Sequence, residues 1–275
     1  MPIADLGDIR LNYSLEGPED GEPVVFAHAL GTDLTVWDKM VALLPPGLRV
    51  LRYDLRGHGL SDAPGGPYAM GTLVRDAERL MEHCGISDAA FVGLSIGGMV
   101  AQGLAAKRLD LVRAMVLSNT ACKIATREVW DKRIAAVEAG GIAALSEATL
   151  ERWFSPAFRA TPELSRWRAI LEGTSVQGYL GCCHAIAGTD FMTPTSGLRL
   201  PVLGIAGGRD GSTPADLVRE TVELVPGARF ELIRKAGHLP PVETPEAMAA
   251  LLADFLGAQG HLKQPGSCGT PGHVH

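Results

Sequence analysis

The sequence predicts an α/β fold: a mostly parallel central sheet flanked by helices, with a helical lid inserted between core strands. Three observations predict it. Apolar segments of strand length alternate with segments of helical period, most of the strand segments are predominantly apolar, and the alternation is interrupted once. Such alternation is typical of parallel sheets with helices on both faces, where each strand is buried on both sides. The 275 residues suffice for a single core of this kind.

The first part of the core is predicted from four strands, which are Val24–Ala27, Arg49–Asp54, Ala89–Val92 and Val112–Leu117. A helical segment follows each of the first three, namely Leu34–Leu44, Gly71–His83 and Ile96–Lys107. Because strand and helix alternate regularly here, we assign residues 1–119 to the α/β core.

The strand pattern then stops, and residues 120–198 are predicted to form the helical lid. Its helical segments are Val129–Ala139, Ile142–Trp153, Pro162–Gly173 and Ser175–Ala187. The alternation resumes with two strands, Pro201–Ala206 and Arg229–Ile233, and two helices, Ala215–Leu224 and Pro245–Leu256. Residues 199–257 therefore complete the predicted core. Residues 258–275 are rich in Gly, Pro and His, and we predict a flexible tail there.

Composition excludes several classes of function. The formal net charge is -6 and no run of Lys or Arg occurs, which argues against a nucleic-acid partner. No apolar run reaches the roughly 18 residues of a membrane span, and the first residues do not resemble a signal peptide. The five cysteines show no metal-binding spacing, so we expect reduced thiols, a cytoplasmic protein and no metal site. The oligomeric state is open, and a homo-oligomer is one option.

The strongest chemical signal is the segment Gly93-Leu94-Ser95-Ile96-Gly97 between a predicted strand and a predicted helix. This is the context of a nucleophile elbow, a strained turn that presents a serine at the carboxyl end of a sheet. Gly93 and Gly97 are expected because side chains there would collide across the turn. We therefore predict that Ser95 is a nucleophile.

A serine needs a base and an acid that orients the base, and in this arrangement they follow in the order Ser, Asp or Glu, His. Asp210 follows the strand Pro201–Ala206, and His238 follows the strand Arg229–Ile233. Both are thus predicted at the sheet edge that carries Ser95. Asp190 and Asp216 are rival acids, but the first lies in the lid and the second on a helix.

An oxyanion hole is predicted from two backbone N–H groups. One belongs to Ile96, directly after the nucleophile, and the other to Leu30, in the loop after the first long strand. His28 is predicted to fix this loop rather than to transfer protons. For the polar loop of Asp54, Arg56 and His58, a structural role is favoured over a catalytic one.

Several segments together resemble the α/β-hydrolase superfamily and, within it, the 3-oxoadipate enol-lactonases of the β-ketoadipate pathway of aromatic-compound catabolism. The core segments are HALGTDLTVW (residues 28–37), RYDLRGHGLSD (52–62) and GLSIGG (93–98). The lid segments are WDKRIAAVEAGG (130–141), ERWFSPAF (151–158) and GYLGCCHAI (178–186). The elbow and triad are generic to the superfamily, so the narrower resemblance depends on the lid.

The resemblance implies hydrolysis of 3-oxoadipate enol-lactone to 3-oxoadipate without a cofactor. The substrate would be a small lactone or ester that carries a carboxylate, and a basic group should face it. The lid offers Lys123, Arg127, Lys132, Arg133, Arg152 and Arg168. We favour Arg133 and Trp153, because they lie in the lid segments of the resemblance. The alternatives are another carboxylesterase, lactonase, cofactor-free perhydrolase or carbon–carbon bond hydrolase of this fold, and a ligand receptor that barely turns over.

Overall fold

Eight strands form one sheet in the computed structural model, which describes residues 1–262. They are β1 Ile3–Asp5, β2 Arg10–Glu16, β3 Glu22–Ala27, β4 Leu48–Tyr53, β5 Ala89–Leu94, β6 Val112–Ser118, β7 Val202–Gly207 and β8 Arg229–Ile233. Their order across the sheet is β1-β2-β4-β3-β5-β6-β7-β8. The strand β2 is antiparallel to both of its neighbours, β1 and β4, and the six strands from β4 to β8 pair in parallel. The predicted mostly parallel sheet with flanking helices is confirmed.

The helices of the core are α1 Asp38–Val41, α2 Met70–His83, α3 Ile96–Lys107, α10 Ala215–Glu223, α11 Pro240–Glu243 and α12 Pro245–Ala258. A 3-10 helix, Leu34–Trp37, precedes α1, so the single helix predicted over Leu34–Leu44 is divided. Within the described residues, no helix has the length and apolar character needed to cross a membrane.

Six helices connect β6 to β7: α4 Arg127–Gly140, α5 Ala143–Trp153, α6 Pro156–Arg159, α7 Leu164–Gly173, α8 Val176–Ala187 and α9 Met192–Ser196. We call residues 120–198 the helical insertion. It carries much of its own core, because Trp153, Phe154, Trp167 and Tyr179 are almost completely buried. Since helix formation depends largely on burying an apolar face, these aromatic residues account for the insertion's order.

The structure departs from the sequence predictions at both ends of the chain. The strands β1 and β2 were not predicted; β2 shows no regular alternation of buried and exposed residues, and its fully buried Asn12 is polar. The predicted flexible tail does not begin at residue 258. The buried His261 accepts a hydrogen bond from the backbone N–H of Ala90 (3.1 Å), so the chain is still packed on the core there. Residues 263–275 of that predicted tail lie outside the described residues.

The parallel strands place the predicted site residues at one edge of the sheet. Ser95 follows β5 directly, Asp210 follows β7 and His238 follows β8. Ligands of open α/β sheets bind at this carboxyl edge. Because β5, β6 and β7 are neighbours and β8 pairs with β7, the three loops lie near one another.

Candidate active site

The turn between β5 and α3 holds Ser95 in a strained conformation, with φ 57° and ψ -119°. Two glycines make the turn possible. A Cβ on Gly93 would lie 2.3 Å from the carbonyl oxygen of Gly97, and one on Gly97 would lie 2.2 Å from that of Ala27. The Ser95 N–H donates to the carbonyl of Ser118 (3.0 Å), which ties the turn to β6. Strain held in this way is typical of functional turns.

Asp210 and His238 form a buried pair. The carboxylate Oδ2 of Asp210 lies 2.8 Å from Nδ1 of His238, and both side chains are almost inaccessible to solvent. With an ionised Asp210, Nδ1 carries the proton and donates it, so Nε2 keeps its lone pair for accepting another proton. This is the tautomer that a general base requires.

The loop around Asp210 stabilises its ionised form. The backbone N–H groups of Ser212 (2.7 Å) and Thr213 (3.0 Å) donate to Oδ1, while the Thr213 hydroxyl (2.7 Å) and the Asn119 amide (2.8 Å) donate to Oδ2. Burial opposes ionisation, but His238 and these hydrogen bonds prevail and hold the pKa of Asp210 below its ordinary value. The ionised Asp210 therefore places a negative charge next to Nδ1 of the His238 imidazole.

Asn119 is a site residue that the sequence analysis missed. It directly follows β6 and has a positive φ of 47°. Its amide Nδ2 donates to Asp210 and also to the carbonyl of Gly237 (3.2 Å), next to His238. Asn119 thus links the acid loop to the base loop. Its position at a strand end is the one sequence signal that could have indicated this role.

Two neutral histidines hold the loop after β3 that contains Leu30. Nε2 of His58 accepts the N–H of Gly31 (2.9 Å), and Nε2 of His28 accepts the N–H of Leu55 (2.9 Å). Burial lowers the pKa of His28 to about 4 and, together with repulsion from His28, that of His58 to about 3. Both rings therefore act as acceptors that position backbone, the structural role predicted for them.

The pKa of His58 gives a test of this assignment. An unfolded histidine has a pKa near 6.5, so between that pH and about 3 the unfolded chain binds one more proton than the folded chain at this site. Stability must then fall as the pH falls, by about 1.4 kcal/mol per pH unit. His58→Gln keeps a hydrogen-bond acceptor but cannot titrate. The free energy of unfolding of the wild type, relative to that of the variant, should therefore decrease by about 2 kcal/mol from pH 7 to pH 5. Urea titrations at both pH values measure this difference; an unchanged difference would mean that His58 takes up protons in the folded state.

The other polar residues of the neighbouring loop also have structural partners. Asp54 accepts from the backbone N–H groups of Leu34 (2.8 Å) and Leu60 (2.9 Å) and from the Asn12 amide (2.7 Å). Arg56 forms a buried, two-point ion pair with Asp76. These contacts agree with the structural role predicted for the loop.

Leu30 and Ile96, the two donors of the predicted oxyanion hole, both lie near Ser95. Ile96 is the first residue of α3, and the N–H of a first helical residue has no partner inside its own helix. Leu30 lines the same cavity as Ser95 and precedes Gly31, whose own N–H is held by His58. The helix also directs the positive end of its dipole toward this position.

A cavity of about 380 Å³ lies between the core and the helical insertion. The core contributes Leu30, Ser95, Gly211, Ser212, Thr213 and His238 to its wall. The insertion contributes Ile124, Ala125, Val129, Trp130, Lys132, Arg133, Leu145, Arg152, Trp153 and Ile186. Apart from His238, every titratable group in this wall is a lysine or an arginine. The cavity thus favours a small anionic ligand that has an apolar part.

Two arginines in this wall, Arg133 and Arg152, approach the same hydroxyl group, and neither has an acidic partner among residues 1–262. Arg133 donates to the Tyr179 hydroxyl (2.6 and 2.9 Å) and to the Thr149 hydroxyl (2.9 Å), and Arg152 lies 3.5 Å from the same Thr149 oxygen. Among residues 1–262, no carboxylate forms an ion pair with either guanidinium. Burial and repulsion from Arg133 lower the pKa of Arg152. Half-buried charges of one sign that form no ion pair are typical of a site for an opposite charge.

Trp153 lies in the cavity wall, where its side chain was predicted to meet a ligand, but its backbone has a second role. Its carbonyl accepts the N–H of His238 (2.7 Å), and the carbonyl of Arg152 accepts the N–H of Gly211 (3.0 Å). The helical insertion is therefore bonded directly to both the base loop and the acid loop. The sequence contained no signal for these backbone contacts.

Comparison with known proteins gives consistent findings. A model of the alpha/beta hydrolase fold family matches residues 22–245. The 3-oxoadipate enol-lactonase 2 of Acinetobacter baylyi is 33% identical over 242 residues, which cover 87% of this chain and 90% of that protein. The similarity thus extends over the core and the helical insertion.

Solved structures are similar over the same length. The enol-lactonase from Burkholderia xenovorans has a TM-score of 0.90 and 35% identity, covering 93% of this chain and all of that one (100%). A thermophilic esterase from Thermogutta terrifontis, solved with malate bound, has a TM-score of 0.85 and 27% identity, covering 91% and 94% of the two chains.

Proposed function

The chain belongs to the alpha/beta hydrolase fold family, and we propose that it is a serine hydrolase that opens 3-oxoadipate enol-lactone to 3-oxoadipate. The observation that carries the proposal is the cavity itself. Ser95 and His238 share it with basic side chains of the helical insertion, and none of the described residues that line it is acidic. The relatives named as enol-lactonases support the choice of substrate.

In the first half of the reaction, Ser95 Oγ attacks the lactone carbonyl while Nε2 of His238 takes its proton. Asp210 holds the imidazole in the required tautomer and stabilises the imidazolium that forms. The backbone N–H groups of Leu30 and Ile96 stabilise the tetrahedral oxyanion. Collapse of this intermediate breaks the bond to the ring oxygen, which leaves as an enolate and takes the proton from His238.

In the second half, water hydrolyses the acyl-enzyme. His238 removes a proton from water as the water oxygen attacks the ester carbonyl, and the same imidazole returns the proton to Ser95 as the ester bond breaks. The enol formed by ring opening tautomerises to the ketone. The triad supplies the proton transfers of both acyl-transfer steps, and the tautomerisation exchanges its proton with water, so the proposed mechanism needs no cofactor.

Arg133 and Arg152 are proposed to bind the free carboxylate of the substrate. Their guanidinium groups both approach Thr149 and have no acidic partner in the described chain. A bound carboxylate would replace mutual repulsion by charge-assisted hydrogen bonds, which arginine forms with two-point geometry. Arg152 is added to the Arg133 and Trp153 contacts proposed from the sequence, with Trp153 covering the apolar part of the ligand.

A second candidate is a carboxylesterase that acts on open-chain esters. The similarity to the Thermogutta terrifontis esterase favours it. The triad would be the same, and the cavity would bind an open-chain ester in place of a lactone. Loss of the ultraviolet absorbance of freshly generated 3-oxoadipate enol-lactone, with 4-nitrophenyl acetate measured alongside, separates the two. Rapid lactone loss with weak ester cleavage is expected; fast ester cleavage without lactone turnover would overturn the lactonase assignment.

Removing the positive charge of Arg152 tests how the substrate is recognised. Arg152→Gln should lower kcat/KM for the lactone about 10- to 100-fold, since a hydrogen bond to a charged group contributes about 1.5–3 kcal/mol. The neutral 4-nitrophenyl acetate should be cleaved at an unchanged rate. Arg127→Gln is the matched control, because Arg127 lies in the same insertion but pairs with Asp131 outside the cavity wall. Equal losses on both substrates would exclude carboxylate binding by Arg152.

A further inference from the structure

We propose that Glu243 is a positioning residue that fixes His238 for proton transfer by joining the base loop to the helical insertion; this inference rests on the proposed serine-hydrolase function. Glu243 is the last residue of α11 and is partly buried. Its Oε1 accepts the backbone N–H of Gly237 (2.7 Å). Its Oε2 accepts both the N–H (3.1 Å) and the hydroxyl (2.6 Å) of Ser155.

These contacts close a ring around the base loop. Gly237 directly precedes His238, and the N–H of His238 donates to the carbonyl of Trp153, two residues before Ser155. Two successive amides of the base loop are thus held, one by Glu243 and one by the insertion. The imidazole of His238 is therefore positioned both by the hydrogen bonds of its backbone and by Asp210.

There is no space for a side chain at position 237, where the base loop contacts Trp153 and Glu243. A Cβ on Gly237 would lie 2.2 Å from the carbonyl oxygen of Trp153 and 2.7 Å from Oε1 of Glu243. The base loop can therefore approach both acceptors only because residue 237 is glycine. Because the contact is this close and its N–H groups are hydrogen-bonded, the position of the base loop is fixed by these contacts.

A carboxylate is the group that this position requires. Three donors converge on it, two from Ser155 and one from Gly237, and a carboxylate has acceptor oxygens only. Burial raises the pKa of Glu243, while the hydrogen bonds from Ser155 and Gly237 favour its ionised form. A glutamine has the same shape but would direct its NH₂ group at one of these donors. The ring would then open on one side.

The consequence should be kinetic, because a small displacement of a catalytic group costs a large factor in rate; a shift of about 1 Å can cost 100-fold. Glu243→Gln is expected to lower kcat for 4-nitrophenyl acetate about 10- to 100-fold with KM unchanged. It should slow inactivation by diethyl 4-nitrophenyl phosphate, which phosphorylates the nucleophilic serine, by a similar factor. Glu246→Gln, an exposed acid on the next helix, is the matched control and should leave both rates unchanged.

A second pair of variants separates positioning from general stability. Ser155→Ala removes the hydroxyl donor and should lower kcat several-fold in the wild type, but should cost nothing further in the Glu243→Gln background. Independent structural damage would instead multiply in the double variant and would follow the melting temperature. If Glu243→Gln does not fold, Ser155→Ala alone tests the role of Glu243: a loss in kcat at constant KM supports it, and an unchanged kcat contradicts it.

The outcomes distinguish the inference from the function on which it rests. If the wild type reacts with both probes and a folded Glu243→Gln variant reacts at the same rates, the role of Glu243 is overturned and the proposed function stands. A wild type that is no more reactive than Ser95→Ala toward either probe would overturn the proposed function, and the inference with it.

Discussion

Ser95→Ala is expected to reduce kcat for the enol-lactone by about 10⁶-fold, the loss typical of removing the nucleophile of a serine hydrolase triad. The physical reason is that no other hydroxyl occupies the elbow after β5, where φ 57° holds residue 95 at the edge of the cavity. The small residual rate would come from the oxyanion hole and from substrate binding. Absorbance loss of the lactone measures the change, with circular dichroism as a check of folding.

The matched control is Ser165→Ala, since Ser165 is an exposed serine of the helical insertion whose hydroxyl bonds only locally, to the carbonyl of Pro162. It should retain full activity. If Ser95→Ala retained activity on every lactone and ester tested, Ser95 would not be the nucleophile, and the elbow would have to be interpreted as a structural turn.

Asp210→Asn is expected to lower kcat about 10⁴-fold with a small change in KM. All five groups that approach its carboxylate can donate hydrogen bonds, including Nδ1 of His238, so the amide NH₂ of asparagine must face a donor. The imidazole then prefers the tautomer with its proton on Nε2, and that nitrogen can no longer accept the serine proton. Steady-state rates on the lactone and on 4-nitrophenyl acetate should fall together.

Asp216→Asn serves as the control for this prediction. Asp216 was a rival acid in the sequence, but it is exposed at the start of α10 and bonds to the N–H of Leu217. Its replacement should leave kcat unchanged. A loss at Asp216 equal to that at Asp210 would show that the measured effect is not specific to the buried acid–imidazole pair.

The predictability of the core follows from its burial. Strands such as β5 and β7 are buried along their whole length, and their uninterrupted apolar sequences predicted them within two residues. The elbow was equally readable, because a local steric requirement selects glycine at 93 and 97. Once strand ends were located, chain order placed Asp210 and His238 at the same edge of the sheet.

The residues that hold the site together could not be predicted, because their contacts are distant in sequence and often involve backbone. Glu243 meets Ser155 across 88 positions and Asn119 meets Asp210 across 91. Nothing in the local pattern of either residue differs from an ordinary helix end or turn. The pairing of Arg133 with Arg152 is similar: the sequence offered six basic candidates, and only the fold shows which of them share Thr149.

The backbone carbonyls of Arg152 and Trp153 also bear on how this enzyme could diversify. Their side chains line the cavity, while their main chain is bonded to the loops of Asp210 and His238. Substitutions here can change the ligand without disturbing those bonds, so substrate range can drift through point replacement. An insertion or deletion between positions 152 and 155 would change the spacing between the carbonyls of Arg152 and Trp153 and the N–H of Ser155, so their bonds to Gly211, His238 and Glu243 could not all form. A chimera that exchanges the helical insertion between relatives should therefore preserve the length of this segment.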